Sequence, residues 1–296
     1  MFTTKDAALL MSSFSVYKGI LHRTVPNAFY RLLCAYDAPP VEFARAWGEF
    51  FALLCDRGYS GNLSRCLSET ALFDENAFSK AAAAGKADQL AAPVKKAVKR
   101  DIEIIQQIGS LTPEHLLDGY RRLDELGCVA ETLPQWEAGA PIDELTGDAE
   151  ACMEKMAAYY RGHGCGMYAR YRAFIWRDGG IEPVVYPDPI RLKSLKGYEA
   201  ARKTVIDNTL ALLNGLSANN CLLYGDRGTG KSSTVKAILN EYAPQGLRMV
   251  EMPKDQLCDF PKLVERIAAL PLRFIIFIDD LSLRSRTIPT RLSKPY

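Results

Sequence analysis

Two stretches of this chain carry residue types at spacings suited to chemistry. The first is Gly225-Asp226-Arg227-Gly228-Thr229-Gly230-Lys231-Ser232, a full match to G-x-x-x-x-G-K-[ST]. Its glycines let the backbone bend so that N–H groups point inward, and those donors, with a following helix N-terminus, favour a polyphosphate. Lys231 can reach the terminal phosphates, and the Ser232 hydroxyl can be offered to a magnesium ion, with Ser233 beside it in the first helical turn. The second stretch, Phe274-Ile275-Ile276-Phe277-Ile278-Asp279-Asp280, is an apolar run that ends in two carboxylates. On a buried parallel strand these carboxylates emerge at the carboxyl end, where open α/β sheets bind ligands. Asp279 is then placed to hold the magnesium and Asp280 to orient an attacking water. A glycine-rich turn matching by chance, and, for the carboxylates, a helix cap or a solvated turn, are the bland alternatives. The loop's place between an apolar stretch and a helical one argues against the first. The loop some fifty residues upstream argues against the second.

Positioning these groups requires a strand before the loop, a helix after it, and further strands alternating with helices. "NNCLLYG" (219–225) is expected as that first strand, "KSSTVKAILNEYA" as the helix, and "LRMVEM" as the next strand. "DFPKLVERIAAL" is expected as a helix capped by Asp259, and "RFIIFIDD" as the acidic strand. Strands alternating with helices indicate a parallel sheet. "YEAARKTVIDNTLALLNG" before them is expected to be helical.

The first half is expected to be helical. Phe43, Trp47, Phe50 and Leu54 form one apolar stripe at helical spacing. "TPEHLLDGYRRLDELG" is expected as one helix, with Thr112 its N-cap, Pro113 its first residue and Gly127 just past its end, burying Leu116, Tyr120 and Leu123. "SKAAAAGKADQLAAPVKKAVKRD" is expected as a solvated helix pair broken near Pro93, because no aromatics interleave with its charges as a nucleic-acid patch would require. Residues 131–147 are expected as a connector, then a short helix. The alternation from Met167 to Ile175 predicts a strand, with Asp178-Gly179 as a hairpin turn into "IEPVVY" and "PDP" (187–189) as a break. His163 and Cys165 in "GHGCG" are two ligand types without a partner cluster, which does not make a zinc site.

The chain has 296 residues, 48% of them apolar, enough for one large domain or two ordinary ones. A formal charge of +2 points to no particular partner. The 8 cysteines include no C-x-x-C pair, and the start lacks a charged residue followed by a long apolar run. Reduced thiols and a cytoplasmic location are therefore expected, with no membrane-spanning stretch. The expected division is 1–150 helical, 151–189 a helix and β-hairpin connector, 190–282 the phosphate-binding core and 283–296 a tail.

Residues from about 165 to 282 resemble an uncharacterised bacterial AAA+ ATPase family (domain of unknown function 815). The resemblance is carried by "FIWRDGGIEPVVYPDPIRLKSLKGYEAARKTVIDNTLALLNGLSANNCLLYGDRGTGKSSTVKAILNEYAPQGLRMVEM" and "LPLRFIIFIDDLS". The helical half resembles the same family's N-terminal region diffusely. The resemblance implies a P-loop NTPase fold and ATP bound by the loop, with Lys231 acting on the phosphates. It also implies Mg2+ at Ser232 and Asp279, and Gly197 in "LKGYE" near the adenine. It further implies a protein or nucleic-acid remodelling target, with homo-oligomers of the full-length protein in view.

The tail departs from the family, whose members continue after "DDLS" with an acidic, then helical stretch. With suitably chosen codons, restoring one base at residue 283 turns the basic tail into FEEQDDSYKALKAVL, which resembles the family's continuation. A frameshift is therefore expected at 283–296. The resemblance implies a sheet order 5-1-4-3-2, so strands 4 and 5 are expected to be missing and the sheet incomplete. The phosphate loop and Asp279 then need not meet. The family's sensor asparagine and arginines are expected to be absent too, so the chain is expected to hydrolyse ATP poorly or not at all. The alternatives to an AAA+ ATPase are a catalytically inactive fragment that at most binds nucleotide, and a small P-loop kinase or GTPase. The last has the least support, because no guanine-reading motif is present and the helical front end is long.

Overall fold

The computed structural model describes residues 3–59, 61–118 and 120–280. The reading of 283–296 as out of frame lies outside these residues. The chain divides into two compact units, Met1–Arg170 and Tyr171–Tyr296.

The first unit is mostly helical. The stripe read from the sequence forms the helix Pro40–Asp56, and Phe43, Trp47, Phe50 and Leu54 are fully buried. Asn76 caps the helix Ala77–Ala83 by accepting from Phe78 and Ser79 N–H, while the Ser79 hydroxyl receives the Asn76 N–H. The expected helix pair is present, Ala77–Ala83 and Ala92–Gly109, and Pro93 stands in the first turn of the second helix, where its missing N–H costs nothing. That helix is not merely solvated: Val98, Ile102, Ile105 and Ile108 bury one face of it in the core.

Two expectations fail in this unit. Thr112 caps a helix as expected, but the helix ends at Leu117 because Asp118 turns to extended dihedrals (φ −63°, ψ 117°). A second short helix, Leu123–Leu126, follows, and Leu116 and Tyr120 are buried while Leu123 is exposed. The connector at 131–147 is part of the core. Trp136 is buried, donates its indole N–H to Leu111 O at 3.0 Å, and packs on Trp47 and Phe50 with ring centroids 4.9 and 5.0 Å away. An aromatic side chain of this size brings a large apolar area to the core, and it anchors the Pro- and Gly-rich segment there.

The expected connector at 151–189 is shared between the units. The helix Ala149–His163 buries Cys152, Met156 and Tyr160 in the first core. The hairpin belongs to the second unit, and its first residues differ from expectation: Met167–Arg170 is a helical turn. The strand β1 begins at Ala173 and runs to Arg177, and β2 is Gly180–Pro183. Asp178 (φ 49°) and Gly179 (φ 76°) make the predicted two-residue turn, both left-handed as a primed turn demands.

The second unit is α/β around a small mixed sheet in the order β2-β1-β3-β4, with β3 at Leu247–Glu251 and β4 at Arg273–Phe277. β1 and β2 are antiparallel, whereas β1–β3 and β3–β4 are parallel. The hairpin therefore extends the main sheet. The helices Glu199–Leu213 and Lys231–Tyr242 supply Val205, Ile206, Val235, Ile238 and Leu239 to a core with Ala173, Leu247 and Met249. Strand alternation turns Phe174 and Trp176 away from Ala173. Trp176 meets the helix Phe260–Ala268, with the Arg266 guanidinium 5.4 Å from its ring centroid.

The strand expected before the loop is not formed: 219–224 is irregular, Leu222 is 65% exposed and Tyr224 88%. Only Leu223 packs partly against the core, and Asn208 pins the segment through paired bonds of 2.8 Å with Asn219. A strand exists through its ladder partners. Among the described residues the recorded partner of β4 is β3 and no ladder reaches 219–224.

Candidate functional site

The helix Lys231–Tyr242 starts at Gly230, whose left-handed φ of 82° only glycine adopts without strain. No side chain caps this helix, so its first-turn N–H groups are not spent on a capping oxygen. Gly225 (φ 133°) and Gly228 (φ 82°) supply the other turns of the loop. Thr229 donates its hydroxyl to Asp226 O at 2.9 Å and stiffens the bend. Asp226 and Arg227 stand exposed at the crest, and Ser233 is half-buried in the first helical turn. Lys231 folds over the loop, its Nζ donating to Gly225 O at 3.0 Å and Asp226 O at 2.7 Å. The ammonium is thus held at the mouth of the loop by carbonyl oxygens, which a phosphate oxygen, as a charged acceptor, can replace.

The acidic strand end lies against this helix start. Ser232 donates its hydroxyl to Asp279 Oδ1 at 2.8 Å. The same carboxylate oxygen accepts the Asp280 N–H at 3.0 Å, which fixes its direction. The expectation that loop and strand tip need not meet is therefore overturned. β3 and β4 pair along five registered positions, from Leu247↔Arg273 to Glu251↔Phe277, and this ladder carries Asp279 to the loop without a strand at 219–224. Burial of β4 is partial rather than complete.

Asp280 adopts a left-handed φ of 52°, and its side chain is 84% exposed. Lys254, after the end of β3, places its ammonium 3.9 Å from Asp280 Oδ2, a neighbour that sequence reasoning missed because nothing in the spacing ties residue 254 to 280. Gly197 (φ 75°) has local contacts: its N–H goes to Glu199 at 2.9 Å and its carbonyl accepts from Arg202. The structure does not bring it to the loop through any described bond. Asp259 precedes its helix as expected but does not cap it. Its carboxylate instead takes Lys262 Nζ at 2.6 Å and the Trp176 indole at 3.4 Å, and the Lys262 ammonium holds it below the usual carboxylate range.

A hydroxyl and a carboxylate side by side, next to a glycine-rich loop and a helix start, form an oxygen donor set suited to a hard divalent ion that keeps several waters. Among the described residues no group of three or more His, Cys, Asp or Glu comes together to hold a metal by itself. His163 stacks on Tyr159 with centroids 4.4 Å apart. Among the described residues no helix is long and apolar enough to cross a membrane.

No curated protein and no solved structure matches the chain. One family model does, and its matched span runs from the hairpin through the phosphate loop and the acidic strand, and on past residue 283. Residues 169–292, somewhat less than half of the chain, are similar to the family described as a protein of unknown function (DUF815).

Proposed function

We propose that the second unit binds Mg-ATP in the manner of an AAA+ ATPase. The observation that carries this reading is the 2.8 Å bond between Ser232 and Asp279, which joins the two motifs far apart in sequence that such a site requires. Lys231 and the first-turn N–H groups bind the β- and γ-phosphates, and the glycines permit the close backbone approach. Ser232 and Asp279 hold the magnesium ion, which neutralises phosphate charge when bound. Asp280 orients water for hydrolysis. In this reading the turnover is coupled to remodelling of a protein or nucleic-acid target in the cytoplasm, by a homo-oligomer.

A second reading is nucleotide binding without turnover. It is favoured by Asp280, which stands exposed in a left-handed conformation with the Lys254 ammonium 3.9 Å from its carboxylate. ATP binding and turnover by the purified chain, beside its Lys231→Ala variant, separate the cases. Binding lost in the variant supports the site. Turnover lost with it supports the ATPase, and binding without turnover the second reading. Equal ATP affinity in both proteins contradicts both.

A further inference from the structure

The second unit contains a pocket of about 200 Å3 beside the segment that leaves β2. Its floor is apolar: Ala173 and Met249, ladder partners on β1 and β3, with Val184 and Leu239 next to them, all in or against the second core. The segment is pinned at both ends. Val184 donates its N–H to Ala173 O at 2.9 Å, and the Asn240 amide donates to Asp188 O at 2.7 Å and Ile190 O at 2.8 Å. Tyr186, between these anchors, lines the pocket while 93% exposed, so the pocket opens to solvent there. The walls are thus held in place by the protein's own bonds, which lowers the ordering cost of binding.

Two opposite charges line this pocket without pairing. Lys236 stands one turn before Leu239 on the helix Lys231–Tyr242, on the same face. Glu251 ends β3, and strand alternation puts it on the same side of the sheet as Met249. Both residues are half-buried, and among the described residues no hydrogen bond or ion pair engages either side chain or joins the two. A ligand that brings the counter-charge gives each of them a charge-assisted bond. Asp188, the third charged lining residue, is turned to its own chain, its Oδ1 accepting Ile190 N–H at 3.0 Å. A carboxylate for Lys236, an ammonium for Glu251 and an apolar group over the floor together describe a free α-amino acid with an aliphatic side chain. The volume lies below the roughly 300–1,000 Å3 of drug-sized sites, which restricts the occupant to a molecule that small.

We propose that this pocket binds a free aliphatic α-amino acid, with Lys236 taking its carboxylate and Glu251 its ammonium. The site is independent of nucleotide binding, so the titration is run without nucleotide. Leucine is titrated calorimetrically into the full chain, beside leucinamide, which lacks the carboxylate, and isocaproate, which lacks the amine. The expected result is one saturable leucine site, with each analogue bound about tenfold more weakly or worse, since a charge-assisted bond is lost. Lys236→Gln should weaken leucine binding about tenfold or more and no longer distinguish leucine from leucinamide. Glu251→Gln should weaken it as much and no longer distinguish leucine from isocaproate. Each variant is read only if its thermal melt matches the parent, and either one alone decides should the other not fold. The analogue comparison on the parent needs no variant. Absence of saturable leucine binding, either analogue binding as tightly as leucine, or a folded variant that keeps the parent's affinity and preference overturns the proposal.

Discussion

Replacing Asp101 by alanine should destabilise the first unit far more than a typical surface change. Asp101 is fully buried, and one of its oxygens, Oδ2, accepts from Ser15 N at 3.0 Å, Ser15 Oγ at 3.1 Å, Val16 N at 2.8 Å and Tyr17 N at 3.0 Å. The carboxylate thereby closes the turn between the helix Thr4–Ser12 and the rest of the core. Ser15 is exposed and can turn to water, whereas Tyr17 is buried and Val16 half-buried. Alanine strands these last two N–H groups. Each stranded donor costs about 1–3 kcal/mol, so the expected loss from the two is about 2–6 kcal/mol. Asn keeps an acceptor oxygen for these N–H groups and loses the charge together with the 3.4 Å pairing of Oδ1 with Arg100, for which about 1–2 kcal/mol is expected. Urea denaturation read through tryptophan fluorescence measures both, because Trp47 and Trp136 report on this unit. An Ala variant within about 1 kcal/mol of the parent, or an Asn variant as damaged as the Ala one, would refute this account of the turn.

Two further outcomes concern buried polar groups. Burial raises the Asp74 pKa above its ordinary 3.8, against smaller opposing effects of Asn76 and Arg23. Folding therefore favours the protonated form, and the stability this provides is present below 3.8 and lost as pH rises through the raised folded value. Asp74→Asn should gain stability relative to the parent at neutral pH and lose that gain in acid, which thermal melts at a series of pH values will show; a pH-independent difference contradicts it. In the second unit, Asn240 accepts Arg172 Nε at 2.7 Å and donates to Asp188 O at 2.7 Å and Ile190 O at 2.8 Å. Asn240→Ala should cost about 2–4 kcal/mol, and amide hydrogen exchange should rise through 188–191, while unchanged exchange there would contradict this role.

The parts legible in the sequence are those where one local rule decides. The Phe43–Leu54 stripe has a single apolar face, and the Asp178-Gly179 turn follows from two positive φ angles. The Gly-Lys-Ser loop announces its own helix start. The failures come where neighbours distant in sequence decide. Leu222 and Tyr224 look like a strand, but no ladder among the described residues includes them. Trp136 sits in a sequence context that reads as linker, yet Trp47 and Phe50 receive its ring. Met167–Arg170 alternates like the strand that follows it but closes one helical turn first. In the site, Ser232 and Asp279 were each legible from motif, while their contact and the approach of Lys254 to Asp280 depend on the β3–β4 register.

The dependence of ATP affinity on magnesium, compared between the parent chain and Asp279→Asn, tests the central claim most directly. If Ser232 and Asp279 share a magnesium ion with the nucleotide, magnesium should tighten ATP binding by about tenfold or more in the parent, corresponding to about 1.4 kcal/mol. Asp279→Asn should lose that gain while keeping the magnesium-free affinity, since Lys231 and the loop remain. ATP affinity indifferent to magnesium in the parent, or the full gain persisting in Asp279→Asn, would contradict the claim.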